Sequence, residues 1–410
     1  MSLACRACGL PLTHSLVDLG ETPLANSYPG EADLGRPDPR YPLHARVCDG
    51  CFLVQVEDVV SSQEIFSDYA YFSSYSTSWV EQAGRFCEQA RDRFGLGRAS
   101  LVVEVASNDG YLLRHFARAG VPVLGVEPAA NVAAVARAAG VPTEVRFFGL
   151  DTARDLAAAG QAADLLVGNN VLAHVPDLDD FVAGLALLVK PEGVISLEFP
   201  HLMKLMAQVQ FDTIYHEHYS YFSLLALEPV LARHGLRVFD VESLASHGGS
   251  LRLSVCAHNS ARYQETKAPD ALRAAESSAG LDSLAAYRGF AERVAAARQS
   301  LLAFLSAARD EGKSVVAYGA AAKGNTLLNY CAVGTDLIGY VVDASPHKQG
   351  RYLPGSRLPI HSPDKLAETR PDYVLILPWN LRDEIMREMA AVRDWGGRFV
   401  VPIPTTEVLP

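Results

Sequence analysis

Leu101-Val102-Val103-Glu104-Val105-Ala106-Ser107-Asn108-Asp109-Gly110 decides the fold of this 410-residue chain. The β-branched run up to Val105 is short enough for a strand buried on both faces. The small residues after it turn the chain into a helix at Leu112–Ala119, and the alternation then repeats. Strands are expected at Pro122–Val126, Ala163–Val167 and Gly193–Glu198, with helices at Ala129–Ala139 and Leu178–Val189 between them. Strand–helix repeats of this length predict an open, doubly wound parallel sheet. Upstream, Trp79–Phe94 reads as a helix. Downstream, Leu236–Val241 and Leu251–Val255 flank Gly248-Gly249 and predict an antiparallel hairpin that closes the sheet.

Two further regions flank this unit. Residues 258–268 are polar and read as a linker, and Ala271 to Arg309 has helical composition without a proline. A second α/β alternation follows: strand Ser314–Tyr318, a Gly/Ala turn, a helix to about Tyr330 and strand Leu337–Val342. Strand Tyr373–Leu377, helix Leu381–Ala391 and strand Arg398–Val401 complete it. At the other end, Cys5-x-x-Cys8 and Cys48-x-x-Cys51 are spaced as two knuckles that together offer a tetrahedron of sulfur to zinc. A redox pair is the competing reading, disfavoured because the pairs precede any βαβ pattern. Prolines and glycines crowd this segment, so a metal would supply stability that its own core lacks. Four thiolates leave no open position, so the zinc would be structural.

Composition narrows the function. Basic residues number 36 and acidic ones 47, a net charge of −11 that argues against nucleic-acid binding. Apolar residues make up 49% and charged ones 20%, enough to build real cores. No apolar run approaches the ~20 residues of a membrane span, and the first residues lack a signal peptide's apolar segment. The expectation is a cytoplasmic protein whose seven cysteines are thiols or metal ligands, monomeric or weakly oligomeric.

The chemistry-bearing residues fall at the carboxyl ends of strands, where open sheets bind ligands. The turn Glu104–Gly110 brings Glu104, Ala106, Ser107, Asn108 and Gly110 to that edge, and Glu127 ends the next strand. A carboxylate there can accept from the vicinal hydroxyls of a ribose. One glycine in a turn crowded by Asn108 and Asp109 suits an adenosine ligand without phosphates, S-adenosylmethionine, although a generic α/β turn reads the same way. Asn169, Asn170 and His174 follow the next strand; the asparagines would pair with the cofactor or cap a helix. The densest cluster is Tyr215-His216-Glu217-His218-Tyr219-Ser220-Tyr221, rich in groups that move protons near neutral pH. Its two histidines are too close for a zincin helix. In an extended segment His216 and His218 would share a face, opposite Glu217; a metal site and a solvated aromatic loop are the alternatives. In the last unit, Tyr318-Gly319-Ala320-Ala321-Ala322-Lys323-Gly324-Asn325 lacks both the G-x-G-x-x-G and the P-loop spacing. Lys323, Lys348 and Arg351 could still hold a phosphate there, with Tyr71, His201 and Asn325 as further candidate substrate contacts.

Together these residues resemble the S-adenosylmethionine-dependent sugar C-methyltransferases of antibiotic deoxysugar pathways. The resemblance runs through Cys5/Cys8/Cys48/Cys51, Leu24-Ala25-Asn26, Ser67–Ser76, Glu104–Gly110, Asn170–His174, Tyr215–His218, Ser246–Arg252 and Tyr318–Asn325. It implies an α/β protein with a zinc-binding lobe (1–66), a central class I methyltransferase domain (67–257) and a Rossmann-like C-terminal domain (258–410) that helps bind the sugar nucleotide. It also implies methyl transfer to C-3 of a dTDP-4-keto-deoxyhexose. On matching positions His218 would be the base; Tyr215, Glu217 and His174 would orient the sugar and stabilise the enolate, with Tyr69 assisting. Methylation at another ring position such as C-5, a nucleotide-sugar oxidoreductase using NAD, and a zinc-stabilised binding protein are the competing readings.

Overall fold

The structure, a computed structural model, describes residues 3–66 and 72–409. Seventeen strands form three sheets among the described residues. The N-terminal lobe carries an antiparallel sheet of β1 (His14–Thr22), β2 (Tyr41–Val47) and β3 (Val54–Gln55). Its last strand, β9 (Ser220–Tyr221), arrives from far along the chain and pairs with β3.

The central sheet holds β4 (Val102–Val105), β5 (Val123–Val126), β6 (Thr143–Glu144), β7 (Ala163–Asn169), β8 (Val189–Pro200), β10 (Leu236–Leu244) and β11 (Ser250–Ala257). Their order is β10-β11-β8-β7-β4-β5-β6. β11 runs antiparallel to both neighbours and is wedged between β8 and β10. This is the class I methyltransferase arrangement, a doubly wound sheet with one reversed strand inserted near an edge. All four residues of β4 are buried, as a strand covered by helices on both faces requires. The strand order reverses beside β4, so the ligand crevice opens at the carboxyl ends of β4, β5 and β7. Helix Thr77–Phe94 begins where Ser76 accepts from the Trp79 N–H, and it stops at Gly95 in the left-handed region.

The third sheet comprises β12 (Val315–Tyr318), β13 (Val341–Val342), β14 (Ile360–His361), β15 (Tyr373–Ile376), β16 (Arg398–Val401) and β17 (Glu407–Leu409). It is parallel except for β17 and has the order β14-β13-β12-β15-β16-β17. The stretch of helical composition over 271–309 lies in three helices, Lys267–Ser278, Leu284–Tyr287 and Phe290–Asp310. Gly280 and Gly289, at φ +78° and +77°, break it. The polar stretch before them is tied down: Arg237 donates to the carbonyls of Ser260 and Tyr263, and the Thr266 N–H to that of Phe239.

One apolar core joins Leu16, Leu43 and Val54 of the N-terminal lobe to Leu301, Leu305 and Leu327 of the C-terminal lobe. No described helix is long and apolar enough to cross a membrane.

Candidate active site

After β4 the chain enters a turn in which Ala106 and Asn108 both take positive φ, 55° and 50°. Two non-glycine residues held left-handed at a ligand edge mark a site whose geometry the surrounding packing enforces. The turn seats closely on β5, since a Cβ on Gly125 would lie 2.4 Å from Ser107 Oγ. Glu127 accepts the N–H groups of Asn108 (3.0 Å) and Ala129 (2.9 Å), one on each oxygen. Each oxygen keeps a lone pair for a further donor. Glu104 Oε2, Ser107 Oγ, Asn169 Oδ1 and both amide atoms of Asn170 are buried with no hydrogen-bond partner among the described residues. Burial, with Asp109 and Glu127 close by, holds the Glu104 carboxyl well above the usual carboxylate range. Orphaned polar atoms around three crowded carboxyls fit a polar, cationic ligand, and a sulfonium nucleoside meets that description.

Residues 215–218 are a turn, not the extended segment expected: the His218 N–H bonds the Tyr215 carbonyl at 2.9 Å. The two histidines therefore part rather than share a face. His216 Nε2 meets the carbonyls of Tyr41 (3.3 Å) and Pro42 (3.2 Å) on β2. His218 Nδ1 lies 2.9 Å from the Thr213 carbonyl oxygen and its Nε2 2.8 Å from the Tyr215 hydroxyl. A carbonyl can only accept, so Nδ1 carries the proton and Nε2 keeps the basic lone pair. The His174 ring lies 4.7 Å away, edge to face. Burial pushes His218 well below its ordinary value, helped by His174, His247 and Lys323; His174 falls to about 4 for the same first reason. Both are neutral imidazoles at pH 7. Glu217 receives the Asn26 amide on both oxygens (2.8 and 2.9 Å), and burial raises it to about 7. Ala173, Phe199, Thr213, Tyr221 and Phe222 wall the small cavity beside His218. Tyr69 and Tyr71 lie outside the described residues.

Three family models match: "C-methyltransferase C-terminal domain" over 245–404, "Putative zinc binding domain" over 5–66 and "Methyltransferase domain" over 79–241. The C-methyltransferase NovU of Streptomyces niveus is 37% identical over 405 residues, 99% of this chain and 96% of that protein. The chain belongs to the S-adenosylmethionine-dependent C-methyltransferase family. A ubiquinone biosynthesis O-methyltransferase of Rhizobium etli matches 23% of the chain and 38% of its own length at 33% identity. Among solved structures, the magnesium protoporphyrin IX methyltransferase of Synechocystis is 14% identical with a TM-score of 0.35. That alignment covers 49% of this chain and 99% of that one, and it carries no weight here.

In this C-methyltransferase the four cysteines converge as the spacing predicts. Cys5 and Cys51 Sγ lie 3.5 Å apart, Cys8 and Cys48 3.4 Å, and all four within 4.8 Å. These are edges of a sulfur tetrahedron, far longer than the ~2.05 Å of a disulfide. N–H groups of Ala7, Gly50 and the Gln55 side chain point at the sulfurs, as thiolates holding zinc require.

Of the candidate substrate contacts, Lys348, Arg351 and Asn325 each bond to a backbone carbonyl of the chain. Lys348 donates to the Ala320 carbonyl (2.7 Å) and Arg351 to that of Tyr28 (3.2 Å), while the Asn325 amide donates to Ala25 (2.6 Å). All three fasten the N-terminal lobe or the turn after β12. Asp343 accepts the Ala320 N–H, which a dinucleotide phosphate would need. His201 is buried against the Glu276 carboxylate at 2.7 Å. Lys323 is the one brought near the imidazoles. Sequence reasoning gave no role to His247, Asp212 or Asn26, which lie in stretches it singled out, and it passed over Trp379. His247 carried a signal, its place before Gly248-Gly249; Trp379 carried none.

Proposed function

We propose that this C-methyltransferase methylates C-3 of a dTDP-4-keto-deoxyhexose through an enolate, in an antibiotic deoxysugar pathway. The observation that carries the reading is the fixed His218 tautomer, with an unprotonated Nε2 beside a tyrosine hydroxyl and a second neutral imidazole. Carbon becomes nucleophilic only when a proton α to a carbonyl is removed, and a neutral imidazole suits that task at pH 7.

In this reading Glu127 takes the ribose of S-adenosylmethionine, the Glu104–Gly110 turn lines its nucleoside, and Asn169 and Asn170 take its polar groups. When bound, the cofactor supplies an electrophilic methyl group. His218 Nε2 accepts the proton from the sugar carbon. That breaks its bond to Tyr215 and frees the tyrosine O–H to donate to the oxygen on which charge develops. His174, uncharged and packed edge to face 4.7 Å from the His218 ring, orients the sugar beside it. Glu217 acts from behind, holding the turn through Asn26. The full-length relationship to NovU supports the reaction class, and the sugar rests on the resemblance of Tyr215–His218.

His218→Ala and His218→Asn are expected to lower methyl transfer by about 10²–10⁴-fold while calorimetric affinity for S-adenosylmethionine is unchanged. Solvent deuterium should enter the methylation carbon when wild-type enzyme meets the keto sugar and S-adenosylhomocysteine, and not with either variant. Normal turnover in His218→Ala would overturn the assignment.

A further inference from the structure

The loops that carry His218 and His247 are braced from the C-terminal lobe by one indole. Trp379 Nε1 donates to Asp212 Oδ2 at 2.7 Å, and Asp212 is wholly buried. Asp212 directly precedes Thr213, whose carbonyl sets the His218 tautomer. On its other side the indole abuts Gly248, next to His247, so closely that a Cβ there would lie 2.5 Å from the ring. Gln210 joins the same two loops by donating to the Gly248 carbonyl at 2.8 Å. The Lys323 ammonium sits 4.7 Å from the indole centroid and donates to Asn380 Oδ1 at 2.6 Å. Asp212 Oδ1 has no hydrogen-bond partner among the described residues, which leaves that carboxylate as countercharge to the nearby ammonium.

We propose that Trp379 and Lys323 of the C-terminal lobe are positioning residues for the base of the central lobe: the indole fixes the Asp212–Thr213 backbone on which His218 hangs, and the ammonium places a positive charge where the His218 and His247 loops meet on that indole. The inference rests on the reading of His218 as the base and adds what controls it. The groups facing His218 are His174, Tyr215, Tyr221, His247 and Lys323. The Glu217 carboxylate is engaged by Asn26. Burial lowers Lys323 while the Asp212 carboxylate favours its charged form, and a cation in this set disfavours a charged imidazole. A base that stays unprotonated below neutral pH is the consequence. The same lysine serves His247, whose ring also falls to about 4, chiefly through burial.

The test compares wild type with Lys323→Met, Lys323→Arg and Trp379→Phe in the full chain. The readouts are the pH profile of kcat/KM and a nitrogen NMR titration of the histidine rings. Lys323→Met should move the acidic limb and the His218 titration upward together by about one pH unit. Lys323→Arg, which keeps the charge, should restore both, and Lys323→Gln serves the same reading if the Met variant does not fold. Trp379→Phe keeps the ring and loses the donor; it should lower kcat about 10-fold with KM for S-adenosylmethionine unchanged. If Lys323→Met raises only the KM for the sugar nucleotide, with limb and ring titration unmoved, the lysine binds phosphate and the inference is overturned. The ring titration reports on Lys323 whether or not His218 is the base. Activity surviving in His218→Ala would therefore sink the earlier assignment, whereas an unmoved ring titration in Lys323→Met would sink this one.

Discussion

Glu217 lies one residue from the proposed base yet behaves as a buried strut. Its carboxyl is raised to about 7 by burial, against the downward pull of the Asn26 amide. A folded pKa above the unfolded value of about 4.3 means that the native state binds the extra proton. The associated stability is complete below about pH 4.5 and is lost as pH climbs through 7, to the extent of about 3 kcal/mol. Glu217→Gln keeps an acceptor for Asn26 and removes the charge. It should raise the melting temperature at pH 8 and change it little at pH 4.5. An equal gain at both pH values would contradict the buried-carboxyl account. The neighbouring imidazoles work in the opposite sense. His174 and His247, both lowered to about 4, destabilise the fold as pH falls from about 6.5 toward 4, because the unfolded chain takes up the protons first.

At the scale of elements, β9 ties the zinc site to the turn that carries His218. Gln55 donates to Cys5 Sγ and lies on β3, opposite Ser220 of β9, two residues beyond His218. Arg6, between the first two cysteines, reaches the carbonyls of Val56 (3.1 Å) and Tyr219 (2.5 Å). Removing zinc should loosen this strand pair and with it the ring of His218. Cys8→Ser, or dialysis against a strong chelator, should cost at least about 10-fold in kcat. Affinity for S-adenosylmethionine should hold, since the Glu104–Gly110 turn sits on a different sheet. Full activity in a zinc-free preparation would break the link.

Across the whole molecule, the N-terminal lobe shares its core rather than owning one. Helix Phe290–Asp310 presents Leu301 and Leu305, both fully buried, to the apolar cluster that includes Leu16 and Leu43. Leu301→Ala should destabilise the protein by about 2–5 kcal/mol and speed zinc release to a chromophoric chelator, although it lies some 250 residues from Cys51. Unchanged release alongside a lowered melting temperature would show that the two lobes are mechanically independent. The weak core expected from the proline-rich opening was therefore half the account: the metal and the distant helix both supply it.

What could be read without coordinates was local. The strand at Val102–Val105, its turn, the cysteine knuckles and the proton-active stretch at 215–221 each follow from neighbours in the chain, because burial period, turn chemistry and ligand spacing act over a few residues. Gly280 and Gly289 were also visible, but whether a glycine interrupts a helix depends on what packs around it. The partnership of Asp212 with Trp379, of Glu217 with Asn26 and of His218 with His174 was decided by tertiary structure alone. Those contacts join segments up to 191 residues apart. No periodicity records a meeting between two loops, and the same folding that brings them together removes the water that would otherwise have kept each group at its ordinary charge.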